Sequence, residues 1–310
     1  MNWCLSLLLV LAFLLSWLTR DKISKERSQR CAEVMKNAST TAVSSSGETP
    51  PHSPPTNILQ SLTINNFVPL EFYYVDDTNK GKGTHYKYSR DDIEHFIHQA
   101  DNRKSIIYNT LQQVDGDVNQ AWKHYTKSVD WLMMALHTYP IRGSEVVVFG
   151  STEPWIEAIA LAFGASHVTT VEYNRLTYDH PHITTTTPNT FYQNHYENLH
   201  YDAAFSISSF DHDGLGRYGD PIDPNADMTA MQLVRCVLKP NGLLFLTVPI
   251  GPDVIVWNLH RRYGTVRLPK LLEKWTQEDV VGWDIERLTR NVSWRISYEP
   301  VFVLRNSIDV

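Results

Sequence analysis

Short apolar runs alternate with segments of helical periodicity over the second half of the chain. Strands are predicted at residues 145–150, 167–172, 182–186, 201–206, 243–249 and 299–304. Helices are predicted between them at residues 155–163 and 224–238. Continuous apolar strands are typical of sheets covered on both faces, and strands that alternate with helices form right-handed crossovers. The pattern therefore predicts an α/β fold with a doubly wound, mostly parallel sheet over residues 143–310.

The pattern changes upstream of this sheet. Helices are predicted at residues 91–99 and 117–136, and in the second of these Val118, Trp122, Tyr125 and Val129 recur at three- and four-residue spacing. Residues 57–142 are accordingly expected to form a helical N-terminal extension. The preceding residues, 31–56, are rich in Ser, Thr and Pro and bury too little apolar surface to fold alone, which predicts a flexible stalk.

The N-terminus resembles a membrane segment. The run from Trp3 to Leu18 is almost entirely apolar. It is slightly shorter than the ~20 residues that span a bilayer with ease, but longer than a compact signal-peptide core. No small-residue cleavage site follows it, so a single-pass signal anchor within residues 1–30 is favoured over a cleaved signal peptide.

Two sequence features place the domain on opposite sides of the membrane. Five basic residues follow the apolar run and none precedes it, which favours a cytosolic domain. Two glycosylation sequons, at Asn37 and Asn291, have meaning only in the secretory lumen. We expect a lumenal domain that is glycosylated at these residues. The basic residues after the apolar run leave the opposite orientation open.

Composition excludes some classes of function. The net charge of −6 argues against a general nucleic-acid binder, which would carry a basic face. The sequence contains no metal-binding motif, so no metal site is expected. The three cysteines, Cys4, Cys31 and Cys236, do not suggest a disulfide framework, and Cys236 is expected to be a buried free thiol.

A ligand is expected at the carboxyl ends of the strands, since open α/β sheets bind ligands there. Four segments should meet at this rim: residues 150–153, 172–174, 206–213 and 249–253. Glu172 ends the second strand, 22 positions after Gly150, where a carboxylate can accept hydrogen bonds from ribose hydroxyls. Glu172 could equally be a solvated strand end.

The first turn selects among ribose-containing ligands. Glu153 places a carboxylate where a phosphate would bind, and Pro154 removes one of the N–H groups that a phosphate needs. A ligand with a ribose, a cationic centre and no phosphate suits this turn better, and S-adenosylmethionine has these features. We therefore expect Gly150, Ser151 and Thr152 to contact that cofactor together with Glu172.

Three sequence segments carry a resemblance to known proteins: "GSTEPWIEAIALAFGASHVTTVEYN", "SFDHDGLGRYGDPIDP" and "VLKPNGLLFLTVP". Residues 131–304 resemble the Rossmann-like core of class I S-adenosylmethionine-dependent methyltransferases. A fuller match, which includes "WNLHRRYG", is to an uncharacterised, nematode-rich family of unknown function. The first motif departs from active methyltransferases, because Thr152 and Pro154 occupy glycine positions.

The resemblance suggests where chemistry would occur. The loop after the fourth strand would face the transferred methyl group, so His212, assisted by Asp211, is a candidate general base for methyl transfer to a hydroxyl of a small molecule or glycan. A polar loop that caps the next helix is the alternative. His260, Arg261 and Arg262 could clamp an anionic group of the acceptor, or could be structural.

Two other functions remain open at this point. The degenerate first motif is compatible with a catalytically inactive methyltransferase-like domain that acts as a binding or scaffold module. A nucleotide-sugar enzyme is disfavoured by the Glu153–Pro154 turn, for the same reason that phosphate is.

Overall fold

The computed structural model describes residues 25, 29–36, 49–110, 126–194, 201–290 and 292–307. The strands are β1 Leu70–Phe72, β2 His85–Tyr88, β3 Glu145–Phe149, β4 His167–Val171, β5 Arg175–Tyr178, β6 Ile183–Thr186, β7 Tyr201–Ile207, β8 Leu238–Thr247, β9 Val254–Trp257, β10 His260–Arg262, β11 Thr276–Val281 and β12 Val301–Arg305. The helices are α1 Leu59–Leu62, α2 Arg90–Thr110, α3 Thr126–Thr138, α4 Trp155–Ala162, α5 Pro188–Asn194, α6 Ala226–Val237 and α7 Leu268–Leu271. Short 3₁₀ turns cover Thr56–Ile58 and Ile285–Leu288.

Seven strands form the central sheet, in the order β11-β12-β8-β7-β3-β4-β6. The five strands from β8 to β6 pair in parallel, whereas β12 is antiparallel to both of its neighbours. All six strands predicted from the sequence lie in this sheet, which confirms the mixed α/β fold. The chain order reverses between β3 and β7, so the ligand-binding crevice of such a sheet is expected there.

The sheet is covered on both faces. Along β3, Val146 and Val148 pack on one face with residues of α3 and α4. Val147 and Phe149 point to the opposite face and pack with residues of α6. Successive side chains of a strand alternate between faces, so a continuous apolar strand fills two cores at once. This arrangement is the doubly wound architecture that the apolar runs predicted.

The N-terminal region differs from the expected helical extension and flexible stalk. It contains β1 and β2, which pair in parallel with β9 and β5 outside the central sheet. In the described part of the stalk, Pro50 is buried and its carbonyl accepts a hydrogen bond from the Tyr74 hydroxyl at 3.0 Å. The Pro51 carbonyl accepts another from the indole of Trp257 at 3.1 Å. Residues 50 and 51 are therefore docked on the domain.

The expectation that Cys236 is a free thiol is wrong. Cys236, on α6, forms a disulfide with Cys31, with 5.4 Å between their Cα atoms. Residues 29–36 are helical, and Met35 is buried in the same core cluster as Met231 of α6. The N-terminal helix thus packs against α6, and this contact brings together two cysteines that are 205 residues apart.

The predicted membrane segment from Trp3 to Leu18 lies outside the described residues, as do both sequon asparagines, Asn37 and Asn291. Within the part of the chain that the structure describes, none of the helices combines the length and apolar character needed to cross a bilayer.

Candidate functional site

A cavity of about 250 Å³ opens at the carboxyl ends of β3, β4 and β7. Its lining includes residues from three of the four segments predicted to meet at this rim, namely 150–153, 172–174 and 206–213. The segment after β8 does not contribute a lining residue. The cavity lies at the point where the strand order reverses, which is the general ligand site of open α/β sheets.

The turn after β3 is held in place by contacts on both sides. Gly150 has a φ of +71°, and a Cβ atom there would lie 2.0 Å from the Ser209 hydroxyl oxygen. Its N–H donates to the Val171 carbonyl at 3.0 Å. Glycine is therefore required at this position by the close approach of the loop after β7. Ser151 and Thr152, the other predicted cofactor contacts, also line the cavity.

A buried carboxyl group beneath this turn was missed by the sequence prediction. Glu157 of α4 is fully buried and accepts hydrogen bonds from the hydroxyls of Thr170 at 2.6 Å and Ser151 at 3.0 Å. Burial raises the pKa of Glu157 to about 7, although both hydroxyls oppose the shift. A single acid within the otherwise apolar run of this helix was the available signal. Glu157 connects the cavity turn to the sheet.

Glu172 reaches the cavity as predicted. It is buried, and its Oε1 accepts hydrogen bonds from the backbone N–H of Asn174 at 3.0 Å and from that residue's side-chain amide at 3.1 Å. Burial raises the pKa of Glu172, while the two hydrogen bonds from Asn174 oppose the shift. The carboxyl group is therefore held in one orientation at the end of β4.

The loop after β7 contributes an acidic wall. Asp213 and Asp220 both line the cavity, and Asp220 accepts hydrogen bonds from the backbone N–H groups of Gly216 at 2.9 Å and Tyr218 at 3.1 Å. Burial, reinforced by the charge of Asp220, raises the pKa of Asp213 well above its usual range. The sequence prediction did not name Asp220. Its signal was its place at the end of a glycine-rich loop that leads from the rim.

His212 lines the cavity, but both of its ring nitrogens face protein groups. Nδ1 donates to the Leu259 carbonyl at 2.5 Å, which leaves Nε2 as the acceptor, 3.4 Å from Asp211 Oδ2. Burial lowers the pKa of His212 to about 4 and raises that of Asp211 to about 7. Asp211 is completely buried and is not a lining residue. The pair exists as predicted, but it points into the protein.

The structure contradicts the predicted acceptor clamp for both arginines, because their guanidinium groups donate hydrogen bonds to backbone carbonyls. Arg261 is fully buried and donates to the carbonyls of Asp213 at 2.5 Å and Asp223 at 3.3 Å. Arg262 donates to the carbonyls of Pro252 at 2.8 Å and Val292 at 3.1 Å. Neither these residues nor His260 lines the cavity. Arg261 therefore fixes the backbone of the loop after β7 rather than an acceptor.

Comparison with protein families gives one match. Residues 143–283 match the profile of a family described as Caenorhabditis protein of unknown function, DUF268. The matched range contains the cavity turn, Glu172 and the acidic wall. This match confirms the resemblance that the three sequence segments indicated. No curated protein matches the chain significantly.

Several solved structures that are similar to part of this chain are methyltransferases. The N-methyltransferase NodS from Bradyrhizobium japonicum WM9 is 14% identical, with a TM-score of 0.40, over 61% of this chain and 99% of that one. A S-adenosylmethionine-dependent methyltransferase from Methanosarcina mazei is 13% identical, with a TM-score of 0.36, over 56% and 97%. A predicted methyltransferase from Streptococcus mutans is 15% identical, with a TM-score of 0.35, over 55% of this chain and 46% of that one. The match thus spans about half the length of the Streptococcus protein.

Proposed function

We propose that the domain binds S-adenosylmethionine in the cavity at the ends of β3, β4 and β7 and transfers its methyl group to a small acceptor. The observation that carries the proposal is the charge of the lining. Glu153, Glu172, Asp213 and Asp220 all line the cavity, and no lysine or arginine does so among the described residues. A phosphate-bearing cofactor would be repelled there, whereas a sulfonium and an ammonium group would be attracted.

The residues present fit this cofactor. Glu172 would accept hydrogen bonds from the ribose hydroxyls, and Asn174 keeps its carboxyl group oriented for that role. The turn of Gly150, Ser151 and Thr152 would pass beneath the amino-acid part. When bound, the cofactor supplies an activated methyl group, so the protein contributes mainly position and a proton acceptor.

The proton acceptor is better assigned to Asp213 than to His212. A general base has to reach the proton that it removes. Both nitrogens of His212 are directed at Leu259 and Asp211. Asp213 lines the cavity, and its carboxyl group has no hydrogen bond to another described residue. Methyl transfer to a hydroxyl of a small molecule or glycan with His212 as the base would therefore require the imidazole ring to turn away from both Leu259 and Asp211.

Calorimetric titration with S-adenosylhomocysteine and S-adenosylmethionine tests the proposal. The wild-type chain should bind both, and Glu172→Gln should weaken binding roughly ten- to a hundredfold, the cost of a lost charge-assisted hydrogen bond. Glu145→Gln is the matched control, because Glu145 lies exposed at the opposite end of β3. It should bind like the wild type.

A catalytically inactive binding module is the second candidate function. Thr152 and Pro154 in the cavity turn support it, since side chains there crowd a closely bound cofactor. If the wild-type chain binds neither compound at millimolar concentration, this second function replaces the first.

We also propose that the domain faces the secretory lumen, with the segment from Trp3 to Leu18 as its membrane anchor. The Cys31–Cys236 disulfide supports this orientation, because disulfides persist in oxidising compartments and are rare in the cytosol. Glycosylation at Asn37 or Asn291 is then expected. Treatment of the expressed protein with a glycosidase should increase its electrophoretic mobility, and an unchanged mobility would remove this support.

A further inference from the structure

The acidic wall holds more negative charge than cofactor binding uses. Of the four lining carboxyl groups, Glu172 is accounted for by the ribose hydroxyls, and Glu153 is exposed at the rim. Asp213 and Asp220 remain, both on the loop after β7. Asp220 is oriented by two backbone N–H groups, whereas the carboxyl group of Asp213 has no hydrogen bond to another described residue. Asp213 is therefore free to bind a ligand.

Two tyrosine side chains share the cavity wall with the free carboxyl group. Tyr173, from the end of β4, and Tyr192, from α5, line the cavity with Asp213. Burial raises the pKa of both tyrosines, and the negative charge of Asp213 raises it further. The carboxyl group therefore lies close enough to interact electrostatically with both. A carboxyl group and aromatic rings that line one cavity can together recognise organic ammonium ions, through a charge-assisted hydrogen bond and through the negative face of the rings.

The charge balance of the loaded cavity favours the same ligand. Burial raises the pKa of Glu172, Asp213 and Asp220, so these carboxyl groups ionise most readily when a cation lies beside them. S-adenosylmethionine brings a single net positive charge, and an ammonium ion beside Asp213 would supply a second. A hydroxyl acceptor brings no charge, and a phosphate or carboxylate acceptor brings the wrong sign.

We infer that the acceptor is a primary or secondary amine, which binds as its ammonium ion against Asp213, Tyr173 and Tyr192. This inference rests on the proposed methyltransferase function and replaces the hydroxyl acceptor expected from the sequence.

The same carboxyl group completes the reaction. Asp213 first takes a proton from the ammonium ion, which frees the nitrogen lone pair. The lone pair forms the new N–C bond to the methyl carbon as the C–S bond breaks, and the sulfur keeps that bonding pair as a neutral thioether. The product is the methylated ammonium ion, and the proton on Asp213 passes to solvent.

Calorimetry of the full chain in detergent, saturated with S-adenosylhomocysteine, tests the inference with two probes of equal length. n-Butylamine is cationic at pH 7, and butan-1-ol is its neutral counterpart. The amine should bind about ten- to a hundredfold more tightly than the alcohol. Asp213→Asn should remove this preference while the variant still binds S-adenosylhomocysteine, which also shows that the variant is folded.

Asp202→Asn is the matched control, since Asp202 lies at the amino end of β7, away from the cavity, and pairs with Lys239. It should keep the preference for the amine. Equal affinity of the wild type for amine and alcohol, with S-adenosylhomocysteine bound normally, would overturn the inference and leave the methyltransferase proposal standing. If S-adenosylhomocysteine does not bind at all, the proposed function and the amine acceptor fall together.

Discussion

Loss of the Cys31–Cys236 disulfide should destabilise the domain substantially. The bond closes a loop with a sequence separation of 205 residues. The chain-entropy relation gives about 5 kcal/mol at 25 °C for such a loop, and native disulfides usually contribute about 2–5 kcal/mol. Cys31→Ser should therefore lower the free energy of unfolding by about 2–5 kcal/mol. Cys236→Ser should lower it by the same amount, because each substitution removes the same bond.

The double variant provides the sharpest part of this experiment. Denaturant unfolding followed by tryptophan fluorescence should give one common loss for Cys31→Ser, Cys236→Ser and the double variant. Cys4→Ser, the third cysteine of the chain, is the control and should behave like the wild type. Reduction of the wild type should reproduce the loss. If the two single losses add in the double variant, or if reduction changes nothing, the two sulfurs are not bonded and the lumenal assignment loses its structural support.

Three further substitutions test other parts of the site. Gly150→Ala should cost about 2 kcal/mol in chemical denaturation, because the φ of +71° disfavours alanine and the added Cβ would meet Ser209; an unchanged midpoint would contradict the geometry. Arg261→Ala should cost about 3–5 kcal/mol, since it leaves the carbonyls of Asp213 and Asp223 without their donor and removes one of the two arginines beside buried Asp227, whereas Arg90→Ala, in an exposed pair, should cost less than about 1 kcal/mol. Glu157 keeps its proton to about pH 7 in the native state but only to its ordinary pKa of 4.5 when unfolded, so its contribution to stability is complete below pH 4.5 and is lost as pH rises through 7. Glu157→Gln should reduce the loss of stability between these pH values by up to about 3 kcal/mol, and an unaltered pH profile would show that Glu157 is ionised throughout.

The central sheet could be predicted because its inner strands are continuous apolar runs. β3 and β8 bury most of their side chains on two faces, and this burial favours apolar residues at consecutive positions. β11 was missed because Thr276–Val281 contains mostly polar residues and lies at the edge of the sheet. β5, Arg175–Tyr178, is only four residues long and half polar. β11 and β5 therefore lack the apolar signal on which sequence prediction depends.

The site was predicted where chain direction determines position. Glu172 ends a strand next to the first turn, so topology alone brings it to the cavity. Arg261 was misassigned because a sequence does not distinguish a solvent-facing arginine from one whose guanidinium is enclosed by backbone carbonyls. The Cys31–Cys236 bond depends on the docking of a helix from the far end of the chain, and no local spacing encodes that contact.

The bonds from Arg261 to the loop after β7 have a consequence for how this cavity could change over evolution. The buried guanidinium of Arg261 binds the carbonyls of Asp213 and Asp223, so the backbone conformation of the wall does not depend on the side chains that face the cavity. Little conformational entropy then remains to be lost when a guest enters, so affinity depends mainly on the displayed side chains. Substitution of Asp213 or its neighbours could therefore change the ligand specificity of this cavity while the backbone that supports it stays the same.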